Sequence, residues 1–168
     1  SRKYKEPPIT GPLPDQLNLV ISNQIYIEKE SLPAPLRNRL IRLAAFQNPE
    51  FYKAQAMRLS TFGKPRIISC CEEYPKHLAL PRGCQEELLQ VLGELKIETK
   101  LIDERATGDP LLLNFQGTLH PEQQLAADQL IKHDIGVLSA STAFGKTVIG
   151  AWLIAQRKVN TLVIVHRR

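Results

Sequence analysis

The sequence predicts an α/β protein in which a small mixed α/β module precedes a parallel α/β lobe. Short β-branched runs alternate with amphipathic helical patterns, a turn-rich segment divides the chain at residues 106–118, and a strand–loop–helix–strand order follows it. The 168 residues suffice for one ordinary domain or two small ones. With 43% hydrophobic and 23% charged residues, the composition disfavours wholesale disorder.

The first module is expected over residues 17–105, after an extended arm. Four of the twelve prolines lie in the first fourteen residues, which predicts an arm or linker over residues 1–16. Residues 19–28 mix β-branched and aromatic side chains in partial alternation. This pattern predicts a strand, or a two-stranded ribbon that turns at Ser22 and Asn23.

Helical patterns and further strands fill the rest of this module. In residues 36–46 the apolar side chains recur on one face of a helix, and Asn48 is a good cap for a second helix over residues 49–59. A buried strand is predicted at 66–71, a short helix at 84–96 and a strand at 97–102.

After the turn-rich linker at 106–118, the remaining residues predict a strand–helix–strand unit. The expected elements are a helix at 121–133, a strand at 136–140, a helix at 146–157 and a strand at 161–165. Such units form parallel sheets with right-handed crossovers, and their ligands bind at the carboxyl ends of the strands. The lobe is therefore expected to carry a site at its first strand-to-helix loop.

That loop reads ASTAFGKT, residues 140–147, and matches the phosphate-binding pattern G-x-x-x-x-G-K-[ST] except for Ala140 in the first glycine position. Lys146 is predicted to reach the β- and γ-phosphates of a nucleoside triphosphate, and the Thr147 hydroxyl to bind Mg²⁺. The main-chain N–H groups that face phosphate are expected at Ala143, Phe144, Gly145 and Lys146. The alternative is a turn of small residues with a solvated lysine.

Upstream residues add a nucleobase contact. Gln123 lies in LHPEQQ, at a predicted helix start, and a glutamine amide can hydrogen-bond adenine. Phe115 either stacks near the adenine or fills the core. The loop alone indicates a nucleoside triphosphate with Mg²⁺, and Gln123 narrows the expectation toward ATP.

Charge is segregated along the first module. Residues 36–82 contain nine basic and three acidic side chains, a net of +6, whereas residues 83–114 contain three basic and seven acidic, a net of −4. The basic stretch is the candidate phosphate-binding face, although a solvated amphipathic helix gives the same pattern. The candidate DNA-contacting residues of this stretch are Arg37, Arg39, Arg42, Arg58 and Arg82.

The segments FQNPEFYKAQAMRLS, LALPRG and AFGKTV, with LHPEQQ and the final TLVIVHRR, resemble bacterial superfamily-two DEAD/DEAH-box DNA helicases of primase–helicase conflict systems. Repair and phage recombination helicases are more distant relatives. The resemblance covers about residues 19–168. It implies that residues 119–168 begin a RecA-like ATPase lobe, with the Q motif, motif I and the strand into motif Ia. It also implies that residues 17–105 grip duplex or forked DNA and that Arg167, in the motif Ia region, contacts its backbone.

Two features of the helicase pattern are missing from the sequence. It has no acidic D-E-x-H or D-E-A-D motif and no second lobe with an arginine finger. We therefore expect an incomplete RecA-like lobe, in an amino-terminal fragment of an ATP-hydrolysing helicase, that does not hydrolyse ATP by itself. The alternatives are a restriction-type DNA translocase subunit, or a module that docks on a primase or nuclease and makes no DNA contact.

The cysteines and the hydropathy pattern indicate in which cellular compartment the protein is expected. Cys70, Cys71 and Cys84 cannot all pair within one chain, and the adjacent cysteines lack the spacing of a zinc knuckle. Buried core thiols in a reducing, cytoplasmic compartment are expected. No window approaches the roughly 18 apolar residues of a membrane-spanning helix, so no membrane association is expected.

Overall fold

The chain divides between Arg105 and Ala106 into an amino-terminal unit and a carboxy-terminal unit, and the computed structural model describes residue 9 and residues 11–165. The α/β prediction is confirmed, because five α-helices and two β-sheets, one of them mixed, form within the described residues. None of the helices in those residues has the length and apolar character needed to cross a membrane. Arg167 lies outside the described residues.

The amino-terminal unit contains two sheets and three helices. Its elements in chain order are β1 (Gln16–Ile21), β2 (Ile25–Glu28), α1 (Ala34–Leu43), β3 (Ala45–Gln47), α2 (Pro49–Ala56), β4 (Ile67–Ser69), β5 (Glu72–Glu73), β6 (His77–Leu80), α3 (Gln85–Glu94) and β7 (Glu98–Asp103). The larger sheet has the strand order β5-β6-β2-β1-β7, and only its β1–β7 pair is parallel. The predicted ribbon is confirmed, since β1 and β2 pair antiparallel on either side of a turn at Ser22–Gln24.

One face of the five-stranded sheet forms the core of this unit. Leu17 and Leu19 alternate with the exposed Asn18 along β1, as a half-buried strand requires. The buried face packs against the apolar stripes of α1 and α3, which supply Leu36 and Leu88. The helical pattern predicted around residues 36–46 therefore does bury one face, and its arginines lie outside the core.

Two details of the predicted elements in this region are wrong. The helix that starts at Ala34 ends at Leu43, because the next residues form β3 and pair with β4. The strand predicted as buried at 66–71 is the short, exposed β4, in which Ile67 is 58% exposed. A three-residue strand paired with one other short strand has no packed layer to bury it.

The carboxy-terminal unit contains α4 (Pro121–Leu130) and α5 (Lys146–Arg157), which pack around Leu119, Ala127 and Ile149. The strands predicted at 136–140 and 161–165 are wrong: neither segment joins a ladder. Among the described residues of this unit, β-pairing is limited to an isolated bridge between Pro110 and Val159. A parallel strand needs paired neighbours to bury its apolar side chains, and these two segments have none within the described residues.

Candidate functional site

The loop before α5 turns through two left-handed residues. Ala143 has φ +66° and Gly145, which caps α5, has φ +87°. The helix begins at Lys146, as the sequence predicts, and its first hydrogen bond runs from the Ile149 N–H to the Gly145 carbonyl at 3.1 Å. The N–H groups of a first helical turn have no acceptor within their own helix. They and the positive end of the helix dipole together favour an anion at this loop.

Two features favour glycine at position 145. Its positive φ disfavours any residue with a Cβ atom. In addition, a Cβ at this position would lie only 2.5 Å from Nε2 of Gln123. Ala143 adopts its left-handed conformation without being glycine, which costs roughly 1–2 kcal/mol. Such local strain is concentrated at functional loops.

The side chain of Lys146 folds back over the start of the loop. Its Nζ donates to the carbonyl oxygens of Ala140 at 2.9 Å and Ser141 at 2.7 Å. An ammonium has three donors, so it can also bind an anion at this place or exchange a carbonyl for one. Thr147 follows at the second position of α5 and is exposed. A hydroxyl there is a hard oxygen ligand, of the kind that Mg²⁺ prefers.

Gln123 connects the beginning of α4 to this loop. Its Nε2 donates to the Phe144 carbonyl at 2.8 Å, and its Oε1 accepts from the His120 N–H at 3.0 Å as part of a capping box. The sequence predicts a nucleobase contact for Gln123 but not this link to the loop. The amide keeps one N–H and one lone pair for a further partner.

A cleft of about 400 Å³ lies between the start of α4 and the loop. It is lined by His120, Pro121, Glu122, Gln123, Ala143 and Phe144. The half-buried Phe144 gives the cleft an apolar wall next to the Gln123 amide. A planar, hydrogen-bonding ring suits such a combination of apolar and polar groups.

No family model, no curated protein and no solved structure matches the chain. The features that bear on function are therefore those of the chain itself: the loop at 140–147, the Gln123 link and the cleft beside them. Phe115 and Trp152 do not line this cleft; both pack against the core around Leu119 and Ile149. Of the two alternatives for Phe115, the structure favours the core position.

The arginines predicted to bind DNA that the structure describes lie on or next to three different helical elements. Arg37, Arg39 and Arg42 lie on α1, where Arg39 Nη2 is 3.5 Å from Glu94 Oε2 on α3. Arg42 is exposed, and so is Arg58 after α2. Arg82 is half-buried in a short 3₁₀ helix before α3. Part of the positive charge is thus offset within the protein.

A second pair of opposite charges lies at the end of β7. The Arg105 guanidinium donates to both oxygens of Asp103, with Nη2–Oδ2 at 2.7 Å and Nε–Oδ1 at 2.8 Å. These hydrogen bonds, with a smaller contribution from the charge of Arg82, lower the pKa of Asp103 to about 2. Asp103 and Arg105 thus form an ion pair within the amino-terminal unit.

The uncovered face of the five-stranded sheet carries a second cavity, of about 430 Å³. Val20, Tyr26 and Ile102 contribute to its lining, together with the carboxylates of Glu28 and Glu104. Two carboxylates beside a cavity repel phosphate groups. The lining of this cavity is therefore unfavourable for phosphate groups.

The thiols differ from the prediction of buried core residues. Cys70 is exposed, whereas Cys71 and Cys84 are half-buried. Partial burial raises the pKa of Cys71 to about 11 and also raises the pKa of Cys84. In the part of the chain that the structure describes, no cluster of His, Cys, Asp or Glu could hold a metal ion.

Proposed function

We propose that this chain is part of an ATP-dependent DNA helicase or translocase, which binds Mg²⁺-ATP at the loop 140–147 and DNA through the amino-terminal unit. The observation that carries the nucleotide site is the left-handed turn at Gly145 that leads directly into α5. The Lys146 ammonium lies over the same loop. A helix start of this kind, with a lysine at its first residue, suits a triphosphate.

The residues of the loop fit ATP and Mg²⁺. The triphosphate would lie against the main chain of Ala143, Phe144 and Gly145, and the Lys146 ammonium would exchange its carbonyl partners for the β- and γ-phosphates. Thr147 would hold the Mg²⁺ ion, whose charge offsets that of the phosphates. A lysine already held by two carbonyls needs only a small movement to reach an anion beside them.

The cleft next to the loop supplies the place for adenine. Phe144 would pack against the ring, and the remaining N–H and lone pair of Gln123 would bind its edge. The order of α4, the loop and α5 is the order in which a RecA-like lobe presents its Q motif and motif I. The RecA-like lobe is part of this proposal.

The DNA-binding part of the proposal rests on charge. Within the net +6 of residues 36–82, the exposed Arg42 and Arg58 are the best phosphate contacts, because Arg39 is paired with Glu94 and Arg82 is half-buried. Arg37 and Arg167 complete the proposed set. Contacts of this kind bind DNA of any sequence and weaken steeply as salt rises.

The nucleotide site is tested by titrating a fluorescent ATP analogue with the 168-residue chain, with and without Mg²⁺. Lys146→Ala is expected to weaken binding by about ten- to a hundred-fold, because it removes a charged hydrogen-bonding group. Lys132→Ala, an exposed lysine just after α4, is the matched control and should bind as the wild type does. Wild-type chain that fails to bind, or Lys146→Ala that binds equally well, overturns the site.

A further inference from the structure

The loop at 57–66, which joins α2 to β4, exposes three large apolar side chains. Phe62 is 94% exposed, Met57 is 60% exposed and Leu59 is 59% exposed. Single exposed apolar residues are ordinary, but neighbouring ones in a short loop mark an interaction surface. We call this segment the 57–66 loop.

Hydrogen bonds of the main chain shape this loop and place Phe62 at its tip. The Lys64 N–H bonds to the Thr61 carbonyl at 3.0 Å and closes a four-residue turn, in which Gly63 has φ +73°. The Leu59 N–H bonds to Ala54 in α2 at 2.8 Å and anchors the loop at its base. The Phe62 ring therefore stands in solvent on a turn that is already ordered.

Two lysines lie beside apolar side chains of the loop. Lys53 and Lys64 line a shallow cavity of about 290 Å³ together with Met57, Leu59 and Glu50. Residues 49–71 contain Lys53, Arg58, Lys64 and Arg66 but only Glu50 of opposite charge. A surface that combines an exposed aromatic ring with a surplus of lysine and arginine complements a polyanion that has free ring faces.

We propose that the 57–66 loop binds single-stranded DNA, with an unpaired base stacked on Phe62 and the adjacent phosphates near Lys64 and Arg58. This inference rests on the DNA-binding part of the proposed function and deepens it by naming the strand form and the contact. In a duplex the bases already stack on one another, so their faces are closed to Phe62. An unpaired strand offers both the ring faces and the phosphates.

The first experiment compares a labelled single strand and a duplex of equal length by fluorescence anisotropy. Phe62→Ala should weaken single-strand binding by about 5- to 150-fold, the range found when one base–aromatic stack is removed, and leave duplex binding and the salt dependence unchanged. Leu112→Ala removes an equally exposed apolar side chain from the carboxy-terminal unit and should change neither. Because the Phe62 side chain is almost wholly exposed, its removal leaves the fold intact.

The charge contribution is measured on the same single strand across a salt series. Lys64→Gln should reduce the slope of log affinity against log salt by about 0.7, the value for one phosphate contact to a single strand. Lys132→Gln, the same change of charge in the other unit, should leave the slope as it is.

A third measurement reports stacking directly. In Phe62→Trp the new indole should be quenched when a single strand binds, whereas the wild-type chain, whose one tryptophan is the half-buried Trp152, gives the reference signal. If DNA changes the fluorescence of Phe62→Trp no more than it changes that of the wild-type chain, the proposed stacking is wrong.

The remaining outcomes separate this inference from the proposed function. Loss of DNA binding in Arg42→Ala but not in Phe62→Ala overturns the 57–66 loop contact alone. Equal losses for single strand and duplex in Phe62→Ala also overturn it. If the wild-type chain binds no DNA at low salt, both the loop contact and the DNA part of the proposed function are wrong. The 57–66 loop would then be a candidate surface for binding another protein. The ATP-analogue titration tests the nucleotide site independently of all three results.

Discussion

The side-chain amide nitrogen of Gln123 lies 2.8 Å from the carbonyl oxygen of Phe144, so a residue in the first turn of α4 holds the loop that precedes α5. The other end of the same amide accepts from the His120 N–H. One side chain therefore fixes the helix start, the loop and one wall of the cleft between them. Gln123 therefore helps to determine the conformation of both the cleft and the loop, whichever of the two a ligand contacts.

Replacing Gly145 by alanine should damage the loop. The left-handed φ of +87° costs a Cβ-bearing residue roughly 1–2 kcal/mol. The new methyl carbon would also lie only 2.5 Å from Nε2 of Gln123, so the amide would have to move. We expect a lower thermal midpoint and weaker binding of the ATP analogue. Gly150→Ala is the matched control, because nothing lies within 4 Å of its Cβ position inside α5. The Gly150→Ala change should raise the free energy of unfolding by about 0.5–1 kcal/mol. If Gly145→Ala is as stable as Gly150→Ala, the steric and conformational constraint inferred at Gly145 is wrong.

Replacing Gln123 by glutamate should be worse than replacing it by alanine. A carboxylate can still accept from the His120 N–H, but it cannot donate to the Phe144 carbonyl and would place two acceptors against each other. Alanine removes both hydrogen bonds without adding such a repulsion. We expect a loss of about 1 kcal/mol in unfolding free energy for alanine, more for glutamate, and a loss of preference for ATP over GTP in both. Gln124→Ala, which removes an exposed bond to Asp128, is the control for a change at the next position. Equal nucleotide preference in all three variants excludes Gln123 from base recognition.

The 168-residue chain should bind ATP without hydrolysing it. Phosphoryl transfer needs an acidic residue to hold Mg²⁺ and position water, and no Asp or Glu follows Thr147 in the sequence. Phosphate release measured with excess ATP and Mg²⁺ should equal that of buffer alone. Turnover that requires magnesium and disappears in Lys146→Ala contradicts this prediction.

The Asp103–Arg105 pair should make stability depend on acid pH. The folded-state pKa of Asp103, about 2, lies below the ordinary value of 3.8 for this carboxyl group, so the contribution of the carboxylate is complete above pH 3.8 and is lost as the pH falls toward 2. The thermal midpoint of Asp103→Asn should therefore lie below that of the wild type at pH 5 and approach it near pH 2. Arg105→Gln should reproduce the effect, because it removes the group chiefly responsible for the low pKa. A difference that is constant between pH 5 and pH 2 argues against the ion pair as its cause.

Alkylation should distinguish the three thiols. Burial raises the pKa of Cys71 to about 11, and the pKa of Cys84 is raised for the same main reason, so both have less of the reactive thiolate at pH 8 than an ordinary cysteine. Cys70 is exposed and should react first with iodoacetamide, as followed by mass spectrometry. The urea-unfolded chain is the control, in which the three rates should converge. If Cys71 is modified before Cys70 in the native chain, the predicted order of reactivity is wrong.

Local patterns predicted the elements whose signals are complete within a few residues. The helix Lys146–Arg157 has the predicted bounds, and the glycine at position 145 permits the left-handed residue from which it starts. The ribbon of β1 and β2 was also evident, since alternation and a polar turn coincide there.

Pairing and long-range contacts were not predictable in this way. The apolar runs at 136–140 and 161–165 indicate strands, but a run of apolar residues does not specify a partner for its hydrogen bonds, and the structure supplies none within the described residues. The Gln123–Phe144 bond joins residues 21 positions apart through a loop conformation that no periodicity encodes. The exposure of Phe62 likewise depends on where the turn around it points.

The parallel pairing of β1 with β7 has a mechanical consequence. Its register runs from Gln16 beside Glu98 to Ile21 beside Asp103, so β1 begins at one end of this ladder and β7 ends at the other. Tension applied between residues 16 and 103 would load the whole ladder in shear, and its rungs must break together. Force applied across β5 and β6 would instead open their antiparallel rungs one after another. Single-molecule pulling between residues 16 and 103 should therefore need a higher force than pulling between residues 73 and 103.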